Sequence, residues 1–221
     1  MKNILVSILS VEDKVGAIAK LKETGVGVHL DIMDGKFVTP LGVKLDIMQS
    51  VKQNNLFCDV HLMVSKPLED GYINKALDLG ADSIIIHYEI EEFEKALRFL
   101  LLEKNKRMHE GKNLEIGVAI NPKTSIDVLI RFYKLIDKVL VMSVEPGYGG
   151  QKYIESTDMK IDKIKKQFGI KVEVDGGINK EIIKKDVMKY VDDFVIGSYI
   201  TGSDNMKERI NLIKGEIKWR K

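Results

Sequence analysis

One cysteine, Cys58, stands among 221 residues, so no intramolecular disulfide framework holds this chain, and a reducing compartment suits it. Proline is nearly as scarce. Its four residues are scattered, with no linker-like or low-complexity stretch at which the chain would divide. One domain over 1–221 is expected, a length that supports a full core. An excess of either charge is also missing. Lys and Arg number 35 against 33 Asp and Glu, and the net +2 gives no electrostatic case for a nucleic-acid partner. The lysines of the Lys160–Lys166 stretch and of the C-terminus are read as solvated helix faces. No apolar run approaches the length of about 18 residues that suggests a membrane span. Ile4–Val11 resembles a secretory core, but Glu12 and Asp13 follow where a small-residue cleavage site belongs. The expectation is a soluble, cytoplasmic protein.

What the chain does have is alternation. Short Val- and Ile-rich runs occur at Ile4–Leu9, Val26–Met33, Phe57–Val64, Ser83–His87, Leu114–Ile120, Lys138–Val144, Lys171–Asp175 and Asp193–Gly197. Longer amphipathic stretches lie between them, among them Val11–Thr24, Leu68–Leu79, Phe93–Asn105 and Thr157–Phe168. The runs fit buried parallel strands and the stretches fit crossover helices. Gly25, Gly80 and Gly169 stand between helix and strand, as helix-ending glycines do. Eight such units in this length predict a single (β/α)8 TIM barrel. A doubly wound open sheet shares the alternation, but the strand count and the placement of polar residues favour the barrel.

In barrels, catalytic groups gather at the C-terminal ends of strands. His29 and Asp31 are two apart on the second run and share one face of it. His61 closes the third run and Asp175 the seventh. Taken singly, each is most simply a hydrogen-bonded core group. Four at one level of one barrel favour a site for Zn²⁺, Mn²⁺, Fe²⁺ or Co²⁺. Asp34 and Asp59 are candidates to orient these ligands, and His87 and Cys58 are read as packing residues. Met33, Met63 and Met142 are core filling placed where they also shield a reacting centre.

Glycines form a second constellation. Gly147-Tyr148-Gly149-Gly150 follows the sixth run, Gly176-Gly177 the seventh and Gly197-Ser198 the eighth. Glycines often only make tight turns, yet clusters at three successive strand exits suggest backbone N–H groups cradling a phosphate. A phosphorylated small substrate follows from that reading.

These segments also carry a resemblance. Ser7-Ile8-Leu9-Ser10, His29-Leu30-Asp31-Ile32-Met33-Asp34-Gly35 and Asp59-Val60-His61-Leu62-Met63-Val64 resemble, in order and spacing, the ribulose-phosphate 3-epimerase family. So do Met142 to Lys152, Glu173 to Gly177, and Gly197-Ser198. The likeness implies a divalent metal on His29, Asp31, His61 and Asp175, with Asp31 and Asp175 as the acid/base pair. It implies substrate contacts from Ser7, His61 and Asp175, and phosphate held by Gly147–Gly150, Gly176–Gly177 and Gly197–Ser198. Two departures stand out: Val6 replaces a family proline, and Lys36–Gly42 replaces a longer loop.

The reaction so implied inverts C3 of a ketose phosphate, ribulose 5-phosphate to xylulose 5-phosphate, through a 2,3-enediolate. Two carboxylates supply base and acid, the metal offsets the developing charge, and no organic cofactor is needed because nothing is oxidised. An allulose 6-phosphate epimerase is the nearest rival. A barrel decarboxylase or aldolase would carry Asp-x-Lys-x-x-Asp on the third strand, which Asp59–Val64 lacks. A non-catalytic sugar-phosphate binder would have no use for both aspartates and both histidines. Barrels of this kind commonly form homo-oligomers, although no interface is marked in the sequence.

Overall fold

In the computed structural model, which describes residues 2–218 (Lys218 by its backbone alone), eight parallel strands close into a barrel in sequence order. They are β1 (Asn3–Ser7), β2 (Gly27–Met33), β3 (Cys58–Met63), β4 (Ser83–His87), β5 (Glu115–Ile120), β6 (Lys138–Met142), β7 (Lys171–Asp175) and β8 (Asp193–Ile196). The helices are α1 (Lys14–Leu21), α2 (Met48–Gln53), α3 (Tyr72–Asp78), α4 (Phe93–His109), α5 (Thr157–Phe168), α6 (Lys180–Ile183), α7 (Ser198–Thr201) and α8 (Met206–Lys218). The crossover after β5 is a 3₁₀ segment, Ile126–Arg131, opened by Ser125, whose hydroxyl oxygen accepts from Asp127 N–H.

The expected β4, β7 and α5 match the structure residue for residue. Others differ at their ends. β1 stops at Ser7 rather than Leu9, and α1 starts only after Asp13, whose carboxylate accepts from Gly16 N–H at 2.9 Å. α4 runs four residues past the expected Asn105, where Lys106 and Arg107 place positive charge at its C-terminal carbonyls. α5 ends at Gly169, whose φ of +63° lets the chain turn left-handed back toward β7.

Strand alternation divides the core in two. Outward residues such as Val28, Leu30, Val60, Val118 and Val174 join the helices in one large apolar cluster. Inward residues Ile85, Ala119, Leu140, Met142 and Val144 form a smaller cluster inside the barrel. The rest of the interior is polar. At its N-terminal end Lys171 pairs with Asp193 at 2.8 Å and Glu115 at 3.1 Å, while Asn3 Nδ2 donates to Asp193 at 2.8 Å.

The lysine faces need correction. Lys163 and Lys166 are exposed, but Lys160 donates to the Asn121 and Thr124 carbonyls, and Lys165 reaches Asp192 at 2.7 Å. Five residues apart, the two flank the buried Ile161 and Ile164 on either side of α5 and bond to the elements packed beside it. The expectation for Lys221 lies outside the described residues. Among the described residues no helix is long and apolar enough to cross a membrane.

Cys58 is fully buried at the start of β3. Burial pushes its thiol well above the usual range, with Asp82 and Asp59 adding to it. It should therefore be inert to a thiol reagent in the native protein and react at one thiol per chain once denaturant unfolds it. A chromogenic disulfide reagent with and without denaturant checks this; rapid native reaction would contradict the packing.

Candidate active site

β2 and β3 run in register, with His29 beside Asp59 and Asp31 beside His61. The two-residue period then turns all four side chains into the barrel. β7 brings Asp175 from the other side, three places round the barrel from β2. His29, Asp31, His61 and Asp175 each offer an atom within 4.8 Å of the others. His29 Nε2 lies 3.3 Å from His61 Nδ1 and 3.4 Å from Asp31 Oδ1, and His61 Nδ1 lies 3.3 Å from the same oxygen. Asp175 Oδ2 stands slightly back, 3.9 Å from His29 and 4.0 Å from His61.

A tetrahedral ion with bonds of about 2.1 Å separates its ligand atoms by about 3.4 Å. Three of the four are already so spaced, and Asp175 needs a shift of about half an ångström. The mixed nitrogen and oxygen set suits a transition-metal dication. A second group, His29, Asp59 and Glu173, is also close enough together for an ion. Its cation is already supplied. Lys138, fully buried, donates from Nζ to Asp59 and to Glu173, both at 2.6 Å.

That lysine anchors the site. Asp59 takes the ammonium on Oδ1 and holds His29 Nδ1 at 2.6 Å on Oδ2, orienting the ring. Gly117 leaves room for the lysine stem: a Cβ there would lie 3.2 Å from Lys138 Cγ. Burial works against the charge of Lys138, but Asp59 and Glu173 hold its pKa well above the usual range. Burial and the Asp59 charge push Glu173 up to about 8. Neither Lys138 nor Glu173 was singled out from sequence. The glycine inside β5, and Glu173 two residues before Asp175 on one strand face, were the available signals.

The site groups titrate apart. Burial opposes a charge on His29, yet Asp31 and Asp59 raise its pKa well above normal. Burial likewise opposes ionisation of Asp31, but His29 and His61 hold it far below the usual carboxylate range. Burial and the Asp31 charge push Asp175 up to about 7. Burial, against the pull of Asp31, takes His61 down to about 4.

Above these groups opens a cleft. Ser7, Asp31, Met33, Met63, Met142 and Asp175 form its floor, and its wall is Pro146–Gln151, Gly176–Ile178 and Gly197–Ser198. Ser7 donates its hydroxyl to Asp31 Oδ2 at 2.7 Å. Gln151 donates to the Glu145 and Tyr148 carbonyls, bracing the glycine loop, while Tyr148 stays exposed at the rim. Gly177, at φ +65°, has no room for a Cβ, which would lie 2.4 Å from Tyr153 N. The single hydroxyl hydrogen of Ser143 is shared between the Asp175 and Gly176 carbonyl oxygens, 2.9 and 2.7 Å from Oγ, fixing the turn that presents Asp175.

One expectation changes. Asp34 does not orient a ligand: its carboxylate accepts from the Lys36, Phe37 and Ser65 amides, each at 2.8 Å, and staples the following loop. It lies just past the end of β2, three residues from Asp31, so the strand period does not turn it inward. His61 is fully buried, with Nδ1 beside Asp31. His87 is also buried, with Nε2 2.9 Å from His61 Nε2.

Residues 3–201 match the sequence profile of the Ribulose-phosphate 3 epimerase family. The chain belongs to this family. Relatives named ribulose-phosphate 3-epimerase include that of Chlamydia muridarum, 33% identical over 90% of this chain and 88% of the relative. Those of Bacillus subtilis, 33% identical over 85% of each chain, and Schizosaccharomyces pombe, 30% identical over 94% and 88%, are comparable. Solved structures share the fold of this chain at lower identity. KGPDC from Streptococcus mutans superposes with a TM-score of 0.73 at 16% identity, covering 99% of this chain and 98% of its own. Thiamine phosphate pyrophosphorylase from Pyrococcus furiosus gives 0.63 at 17%, covering 99% and 96%.

Replacing Lys138 by methionine would keep most of the stem and leave Asp59 a buried carboxylate without its ammonium. The expected loss is about 3–5 kcal/mol in denaturant unfolding at neutral pH. Lys166→Met, in an exposed pair with Asp162, should leave the unfolding midpoint in place. Equal midpoints for the two variants would contradict the anchoring role.

Proposed function

We propose that this epimerase-family chain interconverts ribulose 5-phosphate and xylulose 5-phosphate by moving a proton at C3. The observation that carries the reading is the convergence of Asp31 and Asp175, from strands three places apart, on one cleft walled by glycine loops. Among the described residues lining that cleft none is lysine or arginine. A phosphate there would rest on the backbone N–H groups of Gly147–Gly150, Gly176–Gly177 and Gly197–Ser198, which glycine lets approach closely.

His29, Asp31, His61 and Asp175 would hold one divalent cation, with Zn²⁺, Mn²⁺, Fe²⁺ and Co²⁺ all compatible with the donors. When bound, such an ion supplies fixed positive charge beside the sugar oxygens, where negative charge develops as C3 loses its proton. The chain's own residues do the rest. Asp31, steadied by the Ser7 hydroxyl, and Asp175, on a strand three places round the barrel, would take and return the C3 proton from different sides. The two exchange roles in the reverse direction. Met33, Met63 and Met142 line the floor and keep water from the reacting carbon. Net oxidation state does not change, so the reading requires no organic cofactor.

The deciding assay compares ribulose 5-phosphate with allulose 6-phosphate; a higher kcat/KM for the hexulose would overturn the pentulose assignment. Chelator treatment should abolish turnover, and the four cations should restore it to differing degrees. Full activity in protein shown to be metal-free by elemental analysis would sink the metal reading.

Turnover in heavy water should place deuterium at C3 of the product. Asp175→Asn, nearly isosteric, should lower kcat by at least about a thousandfold. A metal-loaded variant with near-normal turnover would mean that another group serves as the second acid/base.

A further inference from the structure

A buried line of hydrogen bonds reaches the site from outside the four candidate ligands. It begins just past β5, where Glu89 Oε1 accepts from the Asn121 N–H at 2.8 Å and from the Thr124 hydroxyl. Lys160 holds the same loop by donating to the Asn121 and Thr124 carbonyls. Glu89 Oε2 faces His87 Nδ1 at 3.1 Å, and His87 Nε2 faces His61 Nε2 at 2.9 Å. Both rings are fully buried and stacked with centroids 4.9 Å apart, and Phe37 covers His87 at 4.7 Å.

Counting hydrogens from the cluster outward gives this line a direction. His61 Nδ1 is the atom that faces the other candidate ligands, 3.3 Å from Asp31 and 4.0 Å from Asp175. Presenting the Nδ1 lone pair to a cation puts the ring hydrogen of His61 on Nε2, where it points at His87 Nε2. His87 Nε2 must then accept, so the hydrogen of His87 sits on Nδ1 and is donated to Glu89, whose carboxylate also accepts from Asn121 and Thr124. Without a cation, Nδ1 is instead placed to donate to Asp31 Oδ1. We propose that His87 and Glu89 are positioning residues that accept the Nε2 hydrogen of His61 and thereby favour the tautomer that presents Nδ1 to a divalent cation. The inference rests on the metal reading above and adds what prepares one of its ligands. It differs from the Lys138–Asp59 anchor, which acts on His29.

The chain has four histidines, few enough to assign by nitrogen-15 NMR of the full-length protein labelled at histidine. With Zn²⁺ alone bound, wild-type His61 should show a protonated Nε2 and a perturbed, unprotonated Nδ1. His87→Phe keeps a ring beneath Phe37 but removes the acceptor. It should shift His61 toward the Nδ1–H tautomer and weaken Zn²⁺ binding, measured against a chromophoric chelator, by about 10–100-fold. His87→Gln offers an amide oxygen to the same hydrogen and should recover most of the affinity. Glu89→Gln should weaken binding in the same direction. A Zn²⁺-loaded wild-type His61 spectrum with hydrogen on Nδ1 overturns the proposal without need of any variant. So does Zn²⁺ affinity unchanged in both His87→Phe and Glu89→Gln, or a loss in His87→Phe that comes with an unchanged tautomer and no recovery in His87→Gln. His61→Ala separates the two levels: wild-type Zn²⁺ affinity in that variant would overturn the metal reading itself, whereas its loss together with unaffected His87 and Glu89 variants would overturn only the relay.

Discussion

The contact on which this structure turns is the one from Lys138 to Asp59, a buried ammonium on a buried carboxylate at 2.6 Å inside the barrel. Neither charge is tolerable there alone, because transfer out of water costs each several kcal/mol, of order. Together they create something an apolar interior could not: an anchored acceptor, Asp59 Oδ2, for the ring of His29. The register of β2 on β3 then carries the order upward, since His29 beside Asp59 forces Asp31 beside His61. Slipping either strand by one residue would turn every one of these groups into the helix layer. The ion pair and the hydrophobic pattern therefore select the same register.

Rigid and adaptable parts are segregated along the barrel axis. Below, charged pairs and close packing leave the ligand side chains few alternatives. Above, the wall of the cleft is backbone, turned by glycines and braced by Gln151 and Ser143. The Lys36–Gly42 segment joins the two. Phe37 covers His87 from above, while Val38 and Pro40 lie where a side chain on Gly147 would reach. Asp34 pins this segment by its three amide contacts, so a residue that looked like part of the chemistry instead shapes the rim.

What could be read in the sequence was what period and punctuation encode. Eight Val- and Ile-rich runs gave the barrel, and the polar residues at the ends of runs two, three and seven gave the cluster that β2, β3 and β7 bring together. Lys138 was not legible because a lysine that opens an apolar run looks like a solvent-facing strand start. Only barrel closure, with Gly117 opposite it, shows that the side chain points inward. His87 was read as packing, which its burial supports, but its hydrogen bond to His61 depends on a neighbouring strand that sequence spacing does not bring near. Asp34 was illegible for the opposite reason: it is near Asp31 in sequence but not in facing, because β2 ends one residue earlier.

The absence of cationic side chains from the described cleft wall has an electrostatic logic. In the proposed reaction Asp31 and Asp175 both hold the cation and handle the proton, so their carboxylates must stay free of other partners. A lysine or arginine placed to bind phosphate beside them would pair with these carboxylates instead, as Lys138 pairs with Asp59 and Glu173, and take the place of the cation. Backbone N–H groups avoid the conflict, because they are fixed in the loop and offer directed partial charges only where the anion lies. The glycines at the exits of β6, β7 and β8 therefore do more than make room: they allow an anion to be bound within reach of Asp175 by donors that do not compete for its carboxylate.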